Sequence, residues 1–154
     1  MRIVKIIENE EKADDEWANS ELLSVNKNEP SSIESVMKER KIKSYRIKYF
    51  DVVRESIVED FNELYRINKD NMMEFLNSVD VVINDLVLVY DELVPRFPKR
   101  YNIFQFFVLE YHRITYDILN RIVKGSMEGV NILSLLKWTR GYYDNMSGRF
   151  YFRD

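Results

Sequence analysis

The sequence contains no cysteine and a single histidine, and only four glycines and three prolines among 154 residues. Without cysteine there can be no disulfide framework and no thiolate metal site. One histidine, His112, leaves a zinc site dependent on carboxylates, an uncommon ligand set. The scarcity of glycine and proline disfavours a turn-rich β fold and favours long helices. No run of about 18 apolar residues is present, the length a membrane-spanning helix needs. The opening Met1-Arg2-Ile3-Val4-Lys5 leads into acidic residues, unlike a secretory leader. A soluble, cytosolic chain is the expectation. Also missing are glycine-rich phosphate loops, a His-Glu-x-x-His pattern and a calcium-loop pattern.

Core-forming material is plentiful. Apolar residues make up 45 % of the sequence and aromatics 14 %, while charged residues at 32 % leave a net charge of −3. That slightly acidic balance argues against a dedicated nucleic-acid binder, which is normally basic as a whole.

Apolar periodicity predicts a first acidic helix and four further helices. Ile3, Ile6 and Ile7 open a first, acidic helix, taken as residues 1–18, and a polar stretch from Asn19 onward reads as a linker over 19–35. A helical bundle segment is expected over 36–146, with a tail at 147–154. Within it, Phe50, Val53, Ile57, Phe61 and Leu64 recur at steps of three and four over about residues 44–68. Met72, Leu76, Val79, Ile83, Leu86, Tyr90 and Val94 do the same over 72–94, with Asp70 and Asn71 as candidate N-caps. Pro95 and Pro98 stop that helix because proline lacks the amide and clashes with the preceding turn. Phe104, Phe107, Val108, Tyr111, Ile118 and Ile122 mark a helix over 103–124, opened by Asn102 and Gln105 at capping-box spacing and closed by Gly125. Ile132, Leu135, Leu136, Tyr142 and Tyr143 place a last core face over 130–146.

Two helices of over twenty residues, joined by a short proline-bounded turn, form an antiparallel hairpin. The predicted fold is all-α, an up-and-down antiparallel helical bundle.

Chemistry is harder to find. His112 lies between Tyr111 and Arg113 with no serine at a neighbouring helical position, so a packing or hydrogen-bonding role suits it better than catalysis. Glu8, Glu11 and Asp15 share a helical face, yet one face supplies too few oxygens for a divalent ion. Trp17 and Trp138 read as packing anchors. No enzyme, cofactor, metal, nucleic acid or small-molecule substrate is expected.

Two features point outward. Val81 and Leu88 fall among Glu74, Asp85 and Glu92, and Phe106 and Leu109 fall among Glu110, Arg113 and Asp117. Apolar residues on a second side mean a central helix, scattered surface residues or an outside partner. Lys41, Lys43 and Lys48 belong to a basic stretch that also holds Lys38, Arg40 and Arg46. It either neutralises the acidic first helix or touches an anionic membrane surface, where each cation adds about 1 kcal/mol.

The run Asp85-Leu86-Val87 through Pro95-Arg96-Phe97-Pro98-Lys99-Arg100-Tyr101-Asn102-Ile103-Phe104 resembles the helix, proline turn and helix of the exocyst complex component three family, the Sec-six subunit. Tyr111-His112, Ile132-Leu133-Ser134-Leu135-Leu136-Lys137-Trp138, Tyr142-Tyr143 and Ile6-Ile7-Glu8-Asn9-Glu10-Glu11-Lys12-Ala13-Asp14 follow the family in the same order. The resemblance implies an internal segment of a longer helical rod, a non-catalytic part of a complex that tethers secretory vesicles to the plasma membrane before SNARE-mediated fusion. Implied partners are other exocyst subunits and SNARE proteins, at cytoplasmic sites beside the plasma membrane. A stand-alone helical adaptor binding a partner helix or peptide is the alternative reading of the residues themselves.

Overall fold

The computed structural model describes residues 2–25, 42–125 and 128–150. The described secondary structure is entirely helical: α1 (Arg2–Val25), α2 (Tyr45–Ile67), α3 (Met72–Leu88), α4 (Ile103–Lys124) and α5 (Gly129–Phe150). This is the all-α helical bundle the periodicity predicts. Two compact units divide at Val53 and Arg54, inside α2.

In the first unit, Val4, Ile7 and Asp14 form the buried ridge of α1, while Ile3 and Ile6 are exposed. Helix α1 continues to Val25, into the stretch read as a linker over 19–35. Asn19 and Ser20 are weak helix formers, not breakers, and the Ser20 hydroxyl donates to the Trp17 carbonyl at 2.7 Å within the helix. Residues 26–41, with Lys38, Arg40 and Lys41, lie outside the described residues, as do residues 151–154.

The start of α2 is built from a distance. Ser44 has a positive φ of 49°. Buried Asp14 accepts from the Lys43 and Ser44 amides, both at 3.2 Å. A carboxylate thus satisfies amides at the positive end of the α2 dipole. Beside it, Arg46 meets Glu11 at 2.9 Å and Lys43 meets Glu10 at 3.1 Å.

In the second unit, cross-contacts establish the helix directions. Arg54 reaches Glu110 at 2.8 Å and Arg121 reaches Asn62 at 2.9 Å, so the later part of α2 runs parallel to α4. Tyr90 meets Phe104 edge to face at 5.2 Å across the proline turn, so α3 and α4 are antiparallel. His112 meets Tyr142, consistent with α5 turning back along α4. The order is up, down, up, down. Phe61, Phe75, Leu76, Val79, Leu86 and Ile118 are almost wholly buried and make the core.

Proline shapes the hairpin as expected, with one addition. After Leu88 the helix widens into a π turn (Val89–Leu93) and then tightens into a 3-10 turn (Val94–Arg96). Pro95 brings no amide to the ladder, and the change of pitch absorbs its ring. The Arg96 guanidinium donates to the Glu92 carbonyl and pairs with the Glu92 carboxylate, which caps the end of the helix. Phe97, restricted to extended backbone by the following Pro98, is buried and packs near Tyr101 at 6.2 Å.

Caps differ from expectation at one end. Asn71 accepts from the Glu74 amide at 3.2 Å, as its position suggests. Asn102 makes no side-chain cap, so the capping box with Gln105 does not form. Its backbone is left-handed, with φ 45° and ψ 44°, because it closes the preceding 3-10 turn through its amide to the Lys99 carbonyl. Asparagine tolerates that region better than most residues. Geometry, not capping, selects it there.

Candidate interaction surface

Leu76, Val79 and Leu86 take the inner side of α3, and this leaves Val81 and Leu88 on the outer side, 66 % and 61 % exposed. On α4, Phe107, Tyr111, Ile114 and Ile118 face inward, and Leu109 is 57 % exposed on the opposite side. Phe106 behaves differently. Its ring meets Phe107 at 5.7 Å and lies under the Arg54 guanidinium at 5.6 Å, so it is half-buried against its own bundle. Of the four outward residues read from the sequence, Val81, Leu88 and Leu109 are open surface and Phe106 is partly covered.

That cover belongs to a charged cluster. Buried Glu110 receives Arg54 Nε on one oxygen at 2.8 Å and Arg113 Nε on the other at 2.9 Å. Burial pushes the Glu110 carboxyl up, but hydrogen bonds and charge from Arg54 and Arg113 outweigh it and hold the group below its ordinary value. Two guanidinium groups satisfy one buried carboxylate, and the arrangement is structural.

The apolar outer surface is larger than the sequence periodicity implied. Leu109, Tyr116 and Val123 recur every seven residues along α4, and all are more than half exposed. On α5 the buried ridge is Leu135, Tyr142 and Met146. Ile132, Leu136 and Tyr143, read as part of that core face, are exposed by 45 %, 62 % and 58 %. The reason is angular: at about 100° per residue, Ile132, Leu136 and Tyr143 lie roughly 90° round the helix from the buried ridge. Only one of two adjacent apolar stripes finds a partner within the bundle.

His112 sits where these helices meet. Its Nδ1 is 3.0 Å from the Tyr142 hydroxyl, and the two rings stack at 5.7 Å. Tyr142 in turn stacks on Trp138 at 5.1 Å. This ladder of rings ties α4 to α5. Trp138 Nε1 is buried without a formed hydrogen bond, while the nearby Asp80 carboxyl is pushed up by burial and eased back down by the indole.

Of the candidate anionic-surface contacts, Lys43 is paired with Glu10, and Lys43 and Lys48 both approach the Tyr45 ring at 5.6 Å. Lys41 lies outside the described residues. No group of three or more His, Cys, Asp or Glu side chains suited to a metal occurs among the described residues. Among the same residues, no helix is long and apolar enough to cross a membrane.

Comparison with known proteins adds a family. Residues 1–151 match the family described as exocyst complex component Sec6. Exocyst complex component 3 of Drosophila melanogaster is 27 % identical over 106 residues, covering 66 % of this chain and 14 % of that protein. The chain thus spans a small part of the length of that curated relative. No solved structure matches. With nearly the whole chain matched and an all-α bundle to accompany it, the chain belongs to the exocyst complex component Sec6 family.

Proposed function

We propose that this chain is a non-catalytic segment of an exocyst component, one bundle within a longer helical rod, acting through protein contacts on its outer face. The match over residues 1–151 carries the reading. Exposed apolar side chains at Val81, Leu88 and Leu109 support it, because such groups on helices with well-filled inner faces suit docking against a neighbouring subunit. Phe106, half-buried with Arg54 over its ring, offers less open surface and is the fourth candidate contact. The role that follows is tethering of secretory vesicles to the plasma membrane before SNARE-mediated fusion, in the cytoplasm, with other exocyst subunits and SNARE proteins as partners. A direct contact with anionic lipid through Lys41, Lys43 and Lys48 is a lesser part of the proposal, since Lys43 already has a carboxylate partner.

Reconstitution tests this. The chain, mixed with purified exocyst subunits one at a time, should bind at least one of them by size-exclusion chromatography and calorimetry. Binding to none, under conditions where the full-length component assembles, would remove the segment from the set of subunit contacts.

A further inference from the structure

Helices α4 and α5 lie side by side. The chain leaves α4 at Lys124 and enters α5 at Gly129. Eight residues along from α4's midpoint side, the His112 ring meets both Tyr142, at 3.0 Å through Nδ1, and Tyr143, edge to face at 6.2 Å. His112 and Tyr143 thus mark the facing shoulders of the two helices. On the α4 shoulder, His112, Tyr116, Leu119 and Val123 follow at steps of four, three and four. On the α5 shoulder, Ile132, Leu136, Thr139 and Tyr143 do the same. Leu119 and Thr139 are half-buried, and the others are exposed. We propose that the groove between these two seams takes one amphipathic helix of a partner protein, apolar at its own seam and acidic on the flanks of that seam.

Spacing selects a helix. Two neighbouring helices that each present a seam of period 3.5 to the same side form the holes into which the knobs of a third helix fit. Each seam here runs about 16 Å, the length of three helical turns. An extended peptide would instead need an open sheet edge, and the described secondary structure is all helical. A lone exposed apolar side chain means little. Tyr116, Val123, Ile132, Leu136 and Tyr143, recurring at heptad steps on two adjoining helices, form the kind of patch that marks an interaction site.

Charge selects the flanks. Lys124 at the α4 rim and Lys137 and Arg140 at the α5 rim are exposed, with no ion-pair partner among the described residues. Arg113, further along α4, is already held by Glu110 and Asp117, and the acid on the α5 rim, Asp144, has an interaction of its own. Three open cations beside an apolar seam favour glutamate or aspartate on the incoming helix, since charges flanking a seam set partner choice. A second copy of this groove would bring the same three cations against them. A lipid surface suits the single convex apolar face of an interfacial helix better than a groove between two helices.

Exocyst assembly is not assumed, and the test contains no exocyst subunit, so its failure leaves the family role standing. The 154-residue chain is titrated with a fluorescent three-heptad helical peptide carrying leucine at a and d and glutamate at e and g. A counterpart carries lysine at e and g, and both are kept below the concentration at which they self-associate. Anisotropy reads affinity, and the methyl resonances of Val123, Ile132 and Leu136 report where binding occurs. Saturable binding of the acidic peptide at those methyls is expected, about tenfold or more tighter than that of the lysine peptide. Val123→Glu with Leu136→Glu should weaken it about tenfold or more, with circular dichroism confirming that the fold survives. Charge reversal by Lys124→Glu, Lys137→Glu and Arg140→Glu together should switch the preference to the lysine peptide, which loss of folding could not imitate. No binding, equal binding of the two peptides, or an unchanged preference after charge reversal would overturn the proposal. So would self-association of the free chain that Val123→Glu with Leu136→Glu abolishes, which would name a second copy as the occupant. Sedimentation with phosphatidylserine vesicles that depends on the same two residues would also overturn it, naming a membrane.

Discussion

Single residues carry much of the order in this chain, and two of them are acidic. Asp14 holds the Lys43 and Ser44 amides from a helix away in the sequence. Charge-assisted hydrogen bonds of this kind are worth about 1.5–3 kcal/mol each, so Asp14→Ala should cost about 2 kcal/mol or more, while Asp14→Asn keeps part of that contribution. Chemical denaturation followed by circular dichroism reads both. Glu110 makes a prediction with pH. Its folded-state pKa lies below its unfolded value, so its contribution is present above the ordinary carboxylate range and is lost as pH falls through the folded pKa. Glu110→Gln should destabilise by about 1–2 kcal/mol at pH 7, a modest figure because both arginines are nearly half exposed and hydrated. That difference should shrink below about pH 4, as the wild-type carboxyl itself becomes protonated. An unchanged difference at pH 3 and pH 7 would show that charge is not what holds the cluster. Neither residue announces its role in the sequence. Asp14 reads as one acid in an acidic helix and Glu110 as one charge on a polar face beside Arg113, because the Asp14 partners and Arg54 lie 29 to 56 positions away.

At the scale of elements, periodicity and punctuation read well and facing read less well. Every buried stripe on α2, α3 and α4 contains residues that steps of three and four pick out, and Pro95, Pro98 and Gly125 mark the ends of helices where they should. The local response to Pro95, a π turn followed by a 3-10 turn, was not legible, because it depends on how the bundle holds both sides of the proline. Helix α5 is the instructive case. Its two apolar stripes are equally hydrophobic in sequence, and only packing against α3 and α4 decides which one is core. Alanine substitutions separate them. Leu135→Ala removes a residue only 9 % exposed and should cost about 2–3 kcal/mol, whereas Leu136→Ala, at 62 % exposure, should change stability by no more than about 0.5 kcal/mol. Thermal melts of the two variants measure this, and equal losses would contradict the assigned facing of α5. The seven-residue recurrence of Leu109, Tyr116 and Val123 was legible as a pattern, and its exposure was not.

At the scale of the whole molecule, the proposed role is that of a frame for contacts. Its inner faces are filled by large apolar side chains, its single histidine is used in ring packing, and exposed apolar side chains lie on every helix, among them Val81 and Leu88 of α3, Leu109 of α4 and Leu136 of α5. Core and topology follow from local sequence because each helix pattern agrees with the bundle it joins. A docking face is a residue of that logic, what remains apolar after the core is satisfied, and it becomes visible only once the core is known. The central claim is that this outer face attaches the segment to other exocyst subunits. The most direct measurement replaces Val81, Leu88 and Leu109 with glutamate in the full-length component and quantifies which exocyst subunits co-purify with it. The account predicts loss of at least one subunit while the melting temperature of the 154-residue chain bearing the same changes stays within a few degrees of the unsubstituted chain. A full complement of subunits retained by the triple variant would contradict it.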